Sequence, residues 1–263
     1  MTDETRPKSA IKVPGRDDKK PLPKRFYRDV GLGATISAEG GGGFAILLDG
    51  RPVKTPAKGD LVLPREALAT AVAEEWAAQI THIDPATMPL TKLCNTAIDR
   101  VRGREDEIAG EITQYAGSDL VCYRAERPPK LVAMQAAAWD PVLAWARQEL
   151  NANFTLAYGL MPVPQPAESL ARVRNALDAY NCFALCALHN MTTLTGSALM
   201  ALAHARGFGD LEATWAAAHA DEDFQIEAWG TDAEAEARRV HRWRAMQAAG
   251  RLLALAISGI QGV

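Results

Sequence analysis

A run of carboxylates lies near the C-terminus, where Asp221, Glu222, Asp223, Glu227, Asp232, Glu234 and Glu236 follow one another between His219 and His241. Carboxylates gathered this way can act as a general acid and base, and a histidine beside them can carry the proton. Their spacing does not set any one group opposite another. A small-molecule hydrolase or transferase using the acidic corner at 221–236 with His219 or His241 therefore stands as the alternative to a binding role.

Most of these residues also have local work to do. Gly230 is suited to the left-handed conformation that closes a helix, and Thr231 with Glu234 three residues on has the spacing of a capping box. Glu234 and Arg238 form an i, i+4 pair, Asp232 suits the positive end of the following helix, and Trp229 is expected in the core. On the preceding helix Leu211, Trp215, Ala218, Glu222, Gln225 and Trp229 recur by fours and threes, so Glu222 and Gln225 interrupt an apolar stripe. Buried without partners they would each cost about 1–3 kcal/mol. They are expected either to bond inside the fold or to face a partner.

Other stretches offer weaker chemistry. Cys182, Cys186 and His189 share one helical face and could present soft metal ligands. Only three groups converge there, and Thr193, Gly196 and Met200 continue the face as a small-residue seam, so core packing is expected. The glycines from Gly40 to Gly43 lead into a strand with no Lys-Ser or Lys-Thr after them, which argues for a turn or loop and not a phosphate cradle. Neither a Gly-x-Ser-x-Gly elbow nor a His-Glu-x-x-His pair occurs. No catalytic residue, metal or cofactor is assigned.

The elements that must position these groups belong to a chain of 263 residues, with 48% apolar and 23% charged side chains. Such a chain can bury a substantial core, which excludes a fibrous or wholly disordered protein. Residues 1–28 hold nine Lys/Arg against four Asp/Glu, or +5, so with a net charge of −3 the remainder sums to −8. A mildly acidic body argues against a nucleic-acid binder. Four cysteines without a secretory signal suggest a reducing compartment.

The basic, proline-marked segment 1–24 reads as a disordered tail. Short strands are expected at Arg25–Val30, Ala34–Ser37, Phe44–Leu48, Arg51–Thr55 and Leu61–Leu63, with Asp49-Gly50 as a two-residue hairpin turn. A helix from Pro64 to about Gln79 covers the sheet, and Ile83–Leu90 reads as an extended link. No strand is expected from Thr91 onward. Helices are expected over 95–115, 131–150, 168–180, 182–205, 210–229 and 232–257. The uncharged run between Asp178 and Arg206 is long enough for a membrane span, but its Asn181, His189, Asn190 and threonines favour a buried helix. The fold class is α+β: a small β-rich N-terminal domain at 25–90, of short antiparallel strands and one helix, followed by an all-helical domain at 91–263.

Several phrases occur in order: Lys24-Arg25-Phe26-Tyr27, Leu48-Asp49-Gly50-Arg51-Pro52-Val53-Lys54-Thr55-Pro56, Glu75-Trp76 with Gln79, Ile83-Asp84-Pro85 with Met88-Pro89-Leu90-Thr91, Asn95-Thr96-Ala97-Ile98-Asp99, and Asp119-Leu120-Val121-Cys122-Tyr123-Arg124. With Asp221-Glu222, Gln225, Trp229-Gly230, Asp232, Glu234-Ala235 and Arg238 they make the chain resemble, from about residue 24 to about 255, the ATP synthase assembly chaperones of mitochondria and alphaproteobacteria. The resemblance implies a non-enzymatic, monomeric protein that binds the free alpha subunit of the catalytic head and shields its interface until the beta subunit replaces it. It also implies that Asp221, Glu222, Gln225, Trp229, Asp232 and Glu234 bind the partner. No nucleic acid and no integral membrane segment are expected. The N-terminus lacks the character of a transit peptide, so a bacterial cytoplasm is expected, or a mitochondrial matrix if the chain is a processed form.

Overall fold

Asp49 and Gly50 both adopt positive φ, 48° and 78°, as a two-residue hairpin turn requires. They join the central strand of a sheet to its neighbour in a computed structural model that describes residues 21–36, 41–159 and 161–257. The tail expected at 1–24 lies outside the described residues as far as residue 20. Pro23 and Lys24 already pair with the backbone at Ile83 and His82.

Strand β1 (Val30–Ile36) runs antiparallel to β2 (Gly42–Leu48) along its whole length. The other edge of β2 is shared by β3 (Arg51–Pro52) and β4 (Val62–Leu63). The two separate strands expected at 25–37 are thus one, because β2 offers partners past Gly31 and Gly33; Ser37 falls outside the described residues, as does Gly40. The glycine run is not simply a loop, since Gly42 and Gly43 belong to β2. A Cβ on Gly43 would stand 2.5 Å from Val62 Cγ1 and 2.9 Å from the Leu63 carbonyl, so the bare backbone is what lets β4 close.

Helix α1 (Glu66–Ala77) buries Leu68, Ala69, Ala71 and Val72 against this sheet. Its last turn organises the next element. The Glu75 carboxylate accepts from the backbone N–H of Leu90 and Thr91 (2.8 and 2.7 Å) and from the Thr91 hydroxyl (2.7 Å), capping α2 (Pro89–Thr96) from outside that helix. Buried Gln79 accepts from Asp84 N–H at 2.8 Å and donates to Glu75 O and Thr87 Oγ1. The link expected to be extended is consequently a 3-10 turn at Pro85–Thr87 running into α2.

Beyond α2 comes a π-helical turn at Ala97–Val101, then α3 (Glu105–Gly117), α4 (Pro129–Glu149), α5 (Ala167–Leu177), α6 (Cys182–Thr195), α7 (Ala198–Ala205), α8 (Leu211–Ala218), α9 (Ala220–Trp229) and α10 (Ala233–Ile257). Three of the expected helices are broken: the one over 95–115 around Gly103 (φ 75°), between the π-helical turn and α3, one at Gly196, in the left-handed conformation (φ 72°, ψ 14°), and one at His219. Against expectation a strand pair also occurs in this half, the parallel β5 (Tyr123–Arg124) and β6 (Ala157–Tyr158). Two residues each are too few to show a period.

Helix α6 starts where the Asn181 side chain accepts from the N–H of Phe183 and Ala184 (3.1 and 3.0 Å). It is buried without a gap from Cys182 to Leu188, beneath α3, α7 and α10. Its burial accounts for the uncharged run, and no helix among the described residues is long and apolar enough to cross a membrane.

One buried acid fixes the α6–α7 break. Asp119 is fully enclosed; Oδ1 accepts from Val121 N–H at 3.2 Å and Oδ2 from Leu199 N–H at 3.0 Å. Burial nonetheless pushes its carboxyl up to about 6, so the folded chain holds this proton more tightly than the unfolded chain does. The proton's contribution is fully present below the ordinary carboxylate range and is lost as pH rises through about 6, a change of about 3 kcal/mol. Asp119→Asn removes that titration. Urea unfolding across pH should show the wild type losing most of this, about 2.5 kcal/mol, relative to the variant between about pH 4 and about pH 7. A constant difference would mean that Asp119 does not titrate in this range.

Candidate functional site

The acidic corner is the junction of α9 and α10. Gly230 has positive φ but extended ψ (87°, 175°), a conformation essentially reserved for glycine and different from the left-handed one expected. The cap of α10 is Asp232, whose carboxylate accepts from the N–H of Glu234 and Ala235 at 3.2 and 3.4 Å. The capping role expected of Thr231 therefore falls one residue later. Glu234 pairs with Arg238 at 2.6 Å as its spacing implies.

Between the two helices lies a cleft of about 530 Å³ whose walls include Glu222, Gln225, Trp229, Asp232, Arg239 and Arg242. Asp221 and Glu234 are outside it. Asp221 accepts from Gln135 Nε2 at 2.8 Å, and Gln135 in turn accepts from Ala125 N–H, so Asp221 ties α9 to α4. Glu222 stands half-exposed, 3.6 Å from Arg242 Nη1 and 3.9 Å from His219 Nε2. Gln225 is exposed.

Trp229 is not core: it is 88% exposed, with Ile226 and Val240 also open to solvent. The expected stripe assumed one helix from 211 to 229. The break at His219 changes the register, so Leu211 and Trp215 pack inward while Gln225 and Trp229 turn outward, and no buried stripe is left for Glu222 and Gln225 to interrupt.

His219 makes that break. Its ring is buried and lies 3.8 Å from the Trp215 ring, which itself lies 5.4 Å from Trp243. Its Nδ1 bonds to the Trp215 carbonyl at 2.8 Å, which requires Nδ1–H as donor, leaving Nε2 buried without a partner. Burial holds its pKa below the ordinary value despite the opposing pull of Glu222. It is thus a neutral, packed imidazole at neutral pH. His241, the other histidine considered for acid–base chemistry, is exposed on α10.

On the other side of α9 a second hollow, about 590 Å³, is walled by Met134, Pro141, Val142, Phe208, Ala213 and Ala220. Sequence reasoning missed it because its walls combine α4, α8, α9 and the turn after α7, which are distant in sequence; Pro141 inside α4 was the available signal. Helical spacing alone puts Arg239 and Arg242 on a wet face and shows neither of their contacts. The Arg239 guanidinium bonds to Asp223 at 2.5 Å, and Arg242 donates to the Leu194 carbonyl at 2.6 Å.

The cysteines are remote from both hollows in character. Burial pushes the thiols of Cys122 and Cys186 up to about 12 and raises that of Cys94 as well. His189 faces Glu111, Nε2 to Oε2 2.9 Å. Among the described residues no three His, Cys, Asp or Glu side chains are placed to hold a metal ion.

Comparison with known proteins adds what this geometry lacks. The family model described as ATP12 chaperone protein matches residues 24–147. The crystal structure of Atp12 from Paracoccus denitrificans superposes with a TM-score of 0.84 at 42% identity, covering 89% of this chain and 98% of that one. The chain belongs to the ATP12 chaperone family. A protein of Agrobacterium tumefaciens described as a candidate chaperone is 47% identical, with the same TM-score of 0.84 over 90% of this chain and 87% of its own. The mitochondrial protein atp12 of Schizosaccharomyces pombe is 24% identical over 225 residues, 80% of this chain and 76% of that protein. Family membership bears out the resemblance seen in the ordered phrases.

The cap assignment is directly testable. Asp232→Ala should lower stability by about 1 kcal/mol, whereas Thr231→Ala should leave it nearly unchanged. Thermal unfolding of the two variants decides; the opposite order would return the cap to Thr231.

Proposed function

We propose that this member of the ATP12 family, a chaperone of ATP synthase assembly, binds the free alpha subunit of the catalytic head along α9 and covers its subunit interface until the beta subunit displaces it. The observation that carries this is Trp229, 88% exposed on a helix flanked by the apolar hollow on one side and the charged cleft on the other. With exposed Ile226 and Val240 it adds apolar surface of the kind that marks an interface, and tryptophan ringed by weaker contacts is the usual anchor of one. An unassembled subunit exposes apolar surface, and a chaperone need only cover it reversibly. No covalent chemistry is called for.

The helical part, taken as 91–263, carries this client surface, while the part at 25–90 packs behind α2. The chain is taken to act as a monomer in a bacterial cytoplasm. What supports the compartment is that the relatives at 42% and 47% identity are bacterial and the mitochondrial one stands at 24%.

Purified alpha subunit should scatter less light on warming when the chaperone is present, and the two should co-purify. Trp229→Ala, at an exposed position, should leave thermal stability unchanged and weaken the complex by about 2 kcal/mol, roughly thirtyfold. Glu222→Lys should weaken it more than Asp232→Ala, since Glu222 lines the cleft beside Arg242 while Asp232 mainly caps α10. Undiminished aggregation of the alpha subunit with the wild type would sink the proposal. Equal binding by the wild type and Trp229→Ala would move the contact away from α9.

A further inference from the structure

A third hollow, of about 460 Å³, lies far along the sequence from the acidic corner, between α1, the Ile83–Met88 link and α2. Every residue that lines it falls within the stretch matched by the family model. Its walls include Trp76, Ile83, Met88, Lys92, Asn95 and Arg100.

Four features of this hollow coincide. The indole N–H of Trp76 is buried without an acceptor and the amide Oδ1 of Asn95 is buried without a donor, each an uncompensated cost in the isolated chain. Trp76 is held in place by Tyr27, which stacks edge-on at 5.7 Å and donates its hydroxyl proton to the Trp76 carbonyl at 2.7 Å. Lys92 and Arg100 are exposed and form no ion pair with any other described residue. The far wall is the π-helical turn Ala97–Val101, a rare conformation that recurs at functional sites. That turn is braced by Asp99, whose carboxylate accepts from Thr55 Oγ1 at 2.6 Å and from Ala57 N–H at 3.1 Å, so the loop after Thr55 is clamped against it.

We infer that this hollow binds an extended, acidic segment of client polypeptide, as a second contact separate from α9. A peptide backbone carries both missing partners, a carbonyl for Trp76 and an N–H for Asn95, and would reach these enclosed atoms as the two side chains turn toward it. Its apolar side chains would meet Ile83 and Met88, and a carboxylate would meet Lys92 or Arg100. A free anion could answer the cations but not the Asn95 oxygen, which needs a donor. The inference rests on the chain's part in ATP synthase assembly and not on the role given to Trp229.

The test uses the full chain and short overlapping peptides tiling the alpha and beta subunits. The indole N–H resonance of Trp76, assigned by its loss in Trp76→Phe, should shift when an acidic peptide binds. Lys92→Glu with Arg100→Glu should weaken that peptide about tenfold or more. Asn95→Leu should weaken it too, while Trp229→Ala should bind it as the wild type does. Reversing two exposed, unpaired cations should leave the melting temperature intact. Any one of four results overturns the inference: no acidic peptide binds, the doubly reversed variant binds equally well, Trp229→Ala loses the peptide, or inorganic phosphate alone reproduces the Trp76 shift. Loss of protection against alpha-subunit aggregation in Trp229→Ala alone would bear on the α9 surface and leave this one standing.

Discussion

A helix whose first half is wholly apolar has no face there to turn to water, and α6, from Cys182 to Leu188, imposes that condition on the rest of the molecule. Cys182 to Leu188 are all buried, so α3, α7 and α10 must lie against it, and the π-helical turn at 97–101 completes its cover. The break after α6 has to be enclosed as well. There the backbone meets Asp119, an acid that stays buried because two N–H groups point at it. An isolated charge would not survive in that position; hydrogen bonding to the ionised form offsets part of the desolvation, and the raised carboxyl pKa measures what is left over.

This packing also decides where the corner goes. The C-terminal half of α10 buries Met246, Ala249, Leu252, Leu253 and Ala256, and Arg242 reaches the Leu194 carbonyl at the end of α6. The first turns of α10 extend past that anchor, and α9 meets them beyond the edge of the core. Trp229 is exposed because nothing in the bundle extends far enough to cover it.

The sequence was most legible where structure follows from neighbours in the chain. Asp49-Gly50 set the hairpin, the amphipathic run set α1, and the uncharged run set α6, each through residues a few positions apart. It failed where a distant side chain decided the outcome. Glu75 caps α2 from another helix, Asp119 holds the break after Gly196 across 80 positions, and the start of α9 depends on His219 stacking on Trp215. The candidate site shows the same division. The ordered phrases pointed to the family and the acidic corner attracted notice, but the direction of Trp229 depended on a break that no local rule signals. Glu222, Gln225, Trp229 and Asp232 do share one cleft, while Asp221 and Glu234 are absorbed by Gln135 and Arg238.

The charges of the corner are suited to exchange. Exposed pairs such as Glu234 with Arg238, or the longer contact between Glu222 and Arg242, contribute little to stability because water and salt screen them. A partner that offers its own carboxylates or cations can replace them at small cost and gain orientation and encounter rate in return. The unpaired Nε2 of His219 sits just behind Glu222 and has the opposite character: it is fixed by stacking and shut away from solvent. A rigid aromatic base of Trp215, His219 and Trp243 thus supports a layer of weakly committed ion pairs, and an exposed indole projects beside it. On the contact proposed for α9, that division would let the client be held and released without disturbing the core.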